Sequence, residues 1–138
     1  MSRSEAGLLD TNTVILLPRF EDSSVLPERP LISAITLAEL SVGPLVTTDE
    51  TERAARLAHL QQAESDFEPI PFDADAARSF GQVAASLRRS GRKASARAYD
   101  AMIAAVAIAN ELPLYTCNPD DFTGIDGLEV MAIPHPDQ

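Results

Sequence analysis

Short apolar runs and longer helical patterns alternate along the chain. The apolar runs, each bounded by polar or Pro residues as buried strands are, cover residues 7–9, 31–35, 68–72, 114–117 and 128–133. The helical patterns cover residues 11–17, 36–46, 50–65, 73–90 and 99–111. Strands that alternate with helices predict an α/β sandwich, in which helices cover both faces of a mostly parallel sheet.

The length and composition are typical of one folded domain that spans residues 1–138. Hydrophobic residues make up 45% and charged residues 23% of the 138 positions, so the chain has enough apolar surface to bury a core. The first apolar stretch is interrupted by polar residues 10–13, so it is too short to predict a membrane span. It does not predict a signal peptide either. The single cysteine, Cys117, is expected to be a small buried hydrophobe, and the expected location is cytoplasmic.

The charge of the chain is unevenly distributed. A net charge of −10 argues against a general binder of polyanions. Five of the 11 basic residues nevertheless lie just ahead of the segment YDAMIAAVA, namely Arg88, Arg89, Arg92, Lys93 and Arg97. These residues form either a phosphate-binding strip or a solvated helix end whose cations favour the helix dipole.

Acidic residues lie at the junctions between predicted strands and helices. Asp10 follows the first strand, and Glu39 lies about one helical turn after the second. Asp100 begins the most apolar helix, while Asp120 and Asp121 follow the run at 114–117. Each of them alone is explained by helix capping, the helix dipole or a turn. Ligand sites of open α/β sheets, however, lie at the carboxyl ends of the strands, where these acids would meet.

Several carboxylates at one sheet edge would repel one another, and a divalent cation would relieve that repulsion. Mg²⁺ and Mn²⁺ prefer hard oxygen ligands, and an ion that keeps bound water suits phosphodiester hydrolysis. No cluster of His and Cys indicates zinc, since His59 and His135 are expected on the surface. No GxxxxGK[ST] or GxGxxG motif indicates nucleotide binding.

Four motifs carry a resemblance to a known family. In chain order they are LLDTNT, SAITLAEL, YDAMIAAVA and LYTCNPDDF, and they extend from Leu8 to Phe122. Together they resemble the PIN-domain nucleases, and specifically the VapC toxins of bacterial toxin–antitoxin pairs. The resemblance implies a PIN-like three-layer sandwich and an endoribonuclease that depends on Mg²⁺ or Mn²⁺.

The resemblance also assigns site residues. The catalytic acids fall on Asp10, Glu39, Asp100 and Asp121, of which Asp10 and Asp100 are expected to bind the metal. The doubled acid leaves Asp120 open as the fourth, although the following Phe122 favours Asp121. Five small polar residues also match the family pattern: Thr11, Ser33, Thr36, Thr116 and Asn118. They either orient the carboxylates or bind metal-bound water, or else they serve as helix caps and turn residues.

Partners follow from the same resemblance: an RNA substrate, a second copy in a homodimer, and a VapB-type antitoxin. The C-terminal segment of such an antitoxin lies in a groove and places a basic side chain among the acids. The helical segment TERAARLAHLQQAESDF could provide an apolar wall for that groove or pack on its own core.

Three other functions compete with this interpretation. A haloacid-dehalogenase-like phosphatase needs a second acid at the position where this chain has Asn12. It also needs a downstream lysine, but the only lysine of this chain, Lys93, lies in the basic stretch. A receiver-like signalling domain would need paired acids near the first strand and a lysine after the last. A catalytically inactive PIN-like module that binds RNA or protein is the third.

Overall fold

The structure is a computed structural model that describes residues 5–93 and 97–137. Over these residues it contains four parallel strands, β1 (Ala6–Leu9), β2 (Arg29–Leu31), β3 (Leu114–Thr116) and β4 (Val130–Ala132), in the sheet order β2-β1-β3-β4. The same residues form five α-helices, α1 (Thr11–Leu16), α2 (Ala34–Val42), α3 (Glu50–Asp66), α4 (Ala74–Arg89) and α5 (Ala98–Ala109). Short 3₁₀ turns lie between them, including Gly43–Leu45 and Pro119–Phe122.

Alternating side chains of the two central strands belong to two separate cores. Leu8 and Leu114 are fully buried in a core formed with α4 and α5. Their neighbours Leu9 and Tyr115 belong to a second core, which includes residues of α1, α2 and α3. Because successive strand side chains point to opposite faces, the two cores lie on opposite sides of the sheet. The predicted α/β sandwich is therefore confirmed.

Helix α5 is the most deeply buried helix, and its composition explains why. Ala101 and every residue from 103 to 107 are buried, so the helix has almost no solvent-facing stripe in its central turns. Its many Ala side chains are small, which allows α4 to pack closely along it. A helix held on most of its sides is a rigid support for the acid in its first turn, Asp100.

Two predicted strands differ from the structure. Strand β2 ends at Leu31 because the hydroxyl of Ser33 accepts a hydrogen bond from Thr36 N at 3.2 Å, which caps α2 and starts it at Ala34. The run at 68–72 makes only a single parallel bridge, between Ser33 and Ile70. Its two prolines, at positions 69 and 71, have no N–H to donate to a longer ladder.

The strand order creates a crevice between β1 and β3. From β1 the chain passes to β2 on one side, and it later returns to β3 on the other side of β1. In open parallel sheets the ligand binds at such a point, outside the carboxyl ends of the two strands. The residues directly after β1 and β3 are therefore expected to form the ligand site.

The described residues include no helix that is both long enough and apolar enough to cross a membrane.

Gly7 in β1 is required for the packing of Tyr115. A Cβ atom on Gly7 would lie 2.5 Å from Tyr115 Cε1, and the rigid ring has no room to retreat from the core. We expect Gly7→Ala to lower the free energy of unfolding by roughly 1–3 kcal/mol. Gly81→Ala is the matched control, because nothing lies within 4 Å of a Cβ there and α4 gains helix propensity. Urea denaturation measures both; a Gly7→Ala protein as stable as the parent would contradict the packing argument.

Candidate active site

Asp10 directly follows β1 and is held by three hydrogen bonds. Its Oδ1 accepts from Thr13 N at 3.1 Å and from Thr13 Oγ1 at 2.5 Å, so it caps α1. Its Oδ2 accepts from Thr116 Oγ1 at 2.6 Å, a contact that joins the ends of β1 and β3 across the crevice. Asp10 is only 4% exposed, yet it lines a cavity at the carboxyl end of the sheet. The capping role and the position at a candidate site therefore coexist.

Glu39 lies on α2 and is oriented by a hydroxyl from α1. Thr11 Oγ1 donates to Glu39 Oε1 at 2.7 Å, and the same hydroxyl lies 3.1 Å from Thr36 Oγ1. Burial raises the pKa of Glu39 above its ordinary value, and the charge of Asp10 adds to the rise, while the Thr11 hydrogen bond opposes it. Glu39 is thus a partly buried carboxyl group whose ionised form is disfavoured.

Asp100 lies in the first turn of α5 rather than at its N-cap, which is Arg97. Capping therefore does not explain this acid. Burial raises the pKa of Asp100 to about 6, and the charges of Asp121, Asp10 and Glu39 add to the rise, while Arg97 opposes it. The four acids are close enough to repel one another, as the sequence predicted for a site that assembles at the sheet edge.

Asp121 lies in the 3₁₀ turn after β3, and it contacts a cation. Arg97 Nη1 donates to Asp121 Oδ1 at 2.7 Å. The two neighbours of Asp121 differ from it, since Asp120 is exposed and Phe122 is buried in the core. Of the doubled acids, Asp121 is the one that lines the cavity.

All four acids line a single cavity of about 450 Å³ at the carboxyl end of the sheet. Its other lining residues are Thr11, Asn12, Ile15, Leu40, Gly43, Arg56, His59 and Asn118. His59, which was expected on the surface, is half-buried and lines the cavity from α3. Arg56 and His59 are three residues apart and therefore share one face of α3. This spacing in the sequence could have predicted that both side chains face the same part of the structure.

Three members of the basic stretch are engaged within the chain. Arg89 forms an ion pair with Asp126 at 2.9 Å. Arg92 donates to the carbonyl oxygens of Thr123 at 2.7 Å and of Asp120 at 3.1 Å, which fastens the end of α4 to the turn that carries Asp121. Arg97 makes the third contact. These contacts favour a structural role for much of the stretch over a continuous phosphate-binding strip.

The donor chemistry of the cavity fits a hard divalent cation. Four carboxylates, the Thr11 hydroxyl and the amides of Asn12 and Asn118 supply oxygen donors. Burial and the charges of the other acids raise the pKa of Asp100. Within residues 5–93 and 97–137, no group of three or more His, Cys, Asp or Glu side chains is arranged closely enough to hold a metal by itself. Mg²⁺ does not require one, because it is usually bound through one or two carboxylates and keeps several waters.

Comparison with known families identifies the fold. The family model described as PIN domain matches residues 8–128, which is most of the chain. The chain belongs to the PIN-domain family. This PIN domain is also similar to Ribonuclease VapC5 of Mycobacterium tuberculosis, with 41% identity over 130 residues that cover 93% of each chain. The similarity places it in the VapC group of PIN domains.

Two solved structures resemble this PIN domain over nearly its whole length. One is VapBC-5, a member of the VapBC family of toxin–antitoxin systems from M. tuberculosis, with a TM-score of 0.80 and 38% identity over 94% of this chain and 99% of that one. The other is VapBC2 from Rickettsia felis, bound to a DNA fragment from its promoter. It has a TM-score of 0.73 and 26% identity over 93% of this chain and 98% of that one.

Asparagine should lower stability at position 10 but not at position 100. In Asp10→Asn the amide oxygen must remain on Thr13 N, so the NH₂ group faces Thr116 Oγ1, which already accepts from Asn118 N at 2.9 Å. We expect a loss of about 1–3 kcal/mol in the free energy of unfolding. Asp100→Asn removes a repelled charge and should keep or raise stability at pH 7.5. Urea titration in EDTA measures both, and an equal loss in the two variants would contradict this assignment.

The pH dependence of stability should carry the signature of Asp100. Its pKa in the folded protein is about 6, above the ordinary value of 3.8, so between these values the folded state binds more protons than the unfolded state. Stability of the metal-free protein should therefore fall as the pH rises from about 4 through 6. Thermal unfolding in EDTA across this range measures the fall, and Asp100→Asn should reduce it, leaving the part that comes from the raised pKa of Glu39. Parallel profiles for the two proteins would show that Asp100 ionises normally.

Proposed function

We propose that this VapC-type PIN domain is an endoribonuclease that depends on Mg²⁺ or Mn²⁺ and acts as the toxin of a toxin–antitoxin pair. One observation carries the proposal: four acids from four separate segments meet in one cavity at the crevice of a parallel sheet. Its similarity to Ribonuclease VapC5 and to the VapBC-5 complex supports the same activity and context.

Each acid has a role in the proposed hydrolysis. Asp10 and Asp100 would hold the ion; bound there, the ion supplies an activated water and stabilises charge on the phosphate. Thr13 and Thr116 fix the Asp10 carboxylate in place by three hydrogen bonds. Glu39, oriented by Thr11, and Asp121 would complete the site by binding a second ion or by positioning the attacking water.

The substrate would be a single-stranded RNA segment. The proposed site opens at the edge of a sheet, and single-stranded loops present accessible phosphates in a way that duplex grooves do not. His59 lines the cavity and would offer a hydrogen-bond donor to the RNA backbone. Arg56, whose guanidinium donates to Gly43 O and to Glu52, would add positive charge beside it. The net charge of −10 provides little long-range attraction to RNA in general, which favours a selective enzyme over an indiscriminate one.

A VapB-type antitoxin would bind beside this site. A second cavity of about 420 Å³ lies between the end of α1 and the end of α3, and it shares His59 with the acidic cavity. Its apolar lining residues are Val14, Leu17, Pro18, Ala63 and Phe67. An extended or helical segment with apolar anchors could fill the second cavity and direct an Arg or Lys into the first. Helix α3 would then form the wall that the two cavities share. We also expect the chain to form a homodimer, for which the 84% exposed Leu45 is a candidate contact.

Cleavage of total cellular RNA by the purified protein tests the proposal. With Mg²⁺ or Mn²⁺ we expect discrete fragments whose mapped ends identify the target. EDTA should abolish them, and Asp100→Asn should slow cleavage by at least about 100-fold, because the remaining acids hold the ion poorly. Asp126→Asn is the matched control, since it neutralises an exposed acid that pairs with Arg89 outside the cavity.

Three outcomes have distinct meanings. Metal-dependent cuts that Asp126→Asn retains and Asp100→Asn loses would establish the nuclease. Equal cleavage by both variants would indicate a contaminating enzyme or a different site. No cleavage with any divalent ion, by a folded protein that binds RNA, would favour the catalytically inactive module instead.

A further inference from the structure

Arg97 stands at the N-cap of α5, but its side chain makes no capping hydrogen bond. Its guanidinium instead contacts two of the four acids. Nη1 donates to Asp121 Oδ1 at 2.7 Å and lies 4.0 Å from Asp100 Oδ2. The chain therefore places one of its own cations against the acids that are proposed to bind a metal.

The Arg97 contact differs from the other ion pairs of the basic stretch. Arg97 and Asp121 have side chains that are 37% and 39% exposed, whereas those of Arg89 and Asp126 are 64% and 79% exposed. Because solvent screens the Arg97 pair less, its effect on neighbouring charges is larger. The effect reaches Asp100, since Arg97 opposes the rise in the pKa of that acid.

The Arg97 guanidinium and a divalent cation would compete for the same carboxylate oxygens. In the structure Asp121 Oδ1 accepts the hydrogen bond from Arg97, so an ion that takes this oxygen must displace the guanidinium or share the carboxylate with it. The two cations would also repel each other across a distance of a few ångströms. Arg97 is tethered to the chain beside the acids, so it competes at a high effective concentration.

We propose that Arg97 is an exchangeable counter-ion of the acidic cavity, which holds Asp121 in the metal-free protein and competes with the divalent cation. The inference rests on the proposed function, because it requires that the cavity bind such an ion. Arg97 is in this sense a positioning residue: it neutralises the acids before the ion arrives, and it sets how much ion is needed to replace it.

A purely structural ion pair would behave differently. Such a pair would stabilise the fold, but its removal would leave metal affinity unchanged. Competition predicts opposite changes in stability and in metal affinity. Loss of the Arg97 charge should lower the stability of the metal-free protein and raise its affinity for the divalent cation. Metal affinity, measured without any RNA, therefore separates the two roles.

Calorimetric titration of the full chain with Mn²⁺ tests the competition. We expect Arg97→Gln to bind Mn²⁺ about fivefold more tightly than the parent, because a partly screened positive charge has been removed. Arg97→Met, which keeps the aliphatic stem, should show the same gain if the Gln variant folds poorly. Arg97→Lys keeps the charge and should bind within about twofold of the parent. Arg89→Gln, whose ion pair with Asp126 lies outside the cavity, should not differ.

The Asp121→Asn variant tests whether the two cations compete at the Asp121 carboxylate. In this variant the additional Arg97→Gln change should tighten Mn²⁺ binding much less, because the carboxylate over which the two cations compete has been neutralised. Thermal unfolding supplies a second readout: Arg97→Gln should melt below the parent in EDTA and gain more from saturating Mn²⁺ than the parent does.

The outcomes separate the inference from the proposed function. If the parent and Arg97→Gln bind Mn²⁺ equally well, the counter-ion role is overturned while the metal-dependent function stands. If Arg97→Gln binds and the parent does not, the competition is stronger than proposed and the inference is supported. If no variant binds Mn²⁺, both the metal dependence and the inference are overturned.

Discussion

Repulsion among four carboxylates at one edge of a parallel sheet is the constraint on which the rest of this PIN domain depends. The acids come from the residue after β1, from α2, from α5 and from the turn after β3, so the fold itself brings the charges together. Burial of Asp100 beside the other three raises its pKa to about 6, which shows that the arrangement opposes ionisation. Two apolar cores, one on each face of the sheet, hold the charged edge in place against this repulsion.

Two of the four acids, Asp10 and Glu39, are held by neutral hydrogen-bond donors. Thr13 and Thr116 donate to Asp10, and Thr11 donates to Glu39. A hydroxyl orients a carboxylate without cancelling its charge, so these two acids keep their attraction for a cation. Among the described residues, no buried side-chain nitrogen or oxygen lacks a hydrogen-bond partner. Hydroxyl groups therefore orient Asp10 and Glu39, whereas Asp121 accepts its hydrogen bond from a cation of the chain, Arg97.

Much of this organisation could be predicted from the sequence. The alternation of apolar runs with helical patterns predicted the sandwich, since periodicity records which face of each element is buried. The family motifs predicted the acids that line the cavity, because each motif lies at a strand end or a first helical turn. The run at 68–72 was less predictable: its apolar content is that of a strand, but its two prolines leave only the bridge at Ile70.

Other parts of the site depend on tertiary packing that no local pattern records. His59 belongs to a helix rich in charge, which is typical of a solvated surface, and only the packing of α3 against α2 brings it to the cavity. Arg97 belongs to a basic stretch that resembles a solvated strip, yet it contacts an acid 24 residues further along the chain.

Both exceptions are basic or potentially basic side chains that lie beside a concentration of negative charge. Sequence periodicity reports which side chains leave water, but it does not report the field that a distant cluster of acids creates. The field acts on any flexible cationic side chain within reach, and Arg has the length and the donors to respond. In a protein of net charge −10, the few cations near the acidic cavity are therefore the residues whose roles depend most on the folded structure. The same reasoning explains why Arg89, which lies against the isolated Asp126, remains an ordinary surface pair.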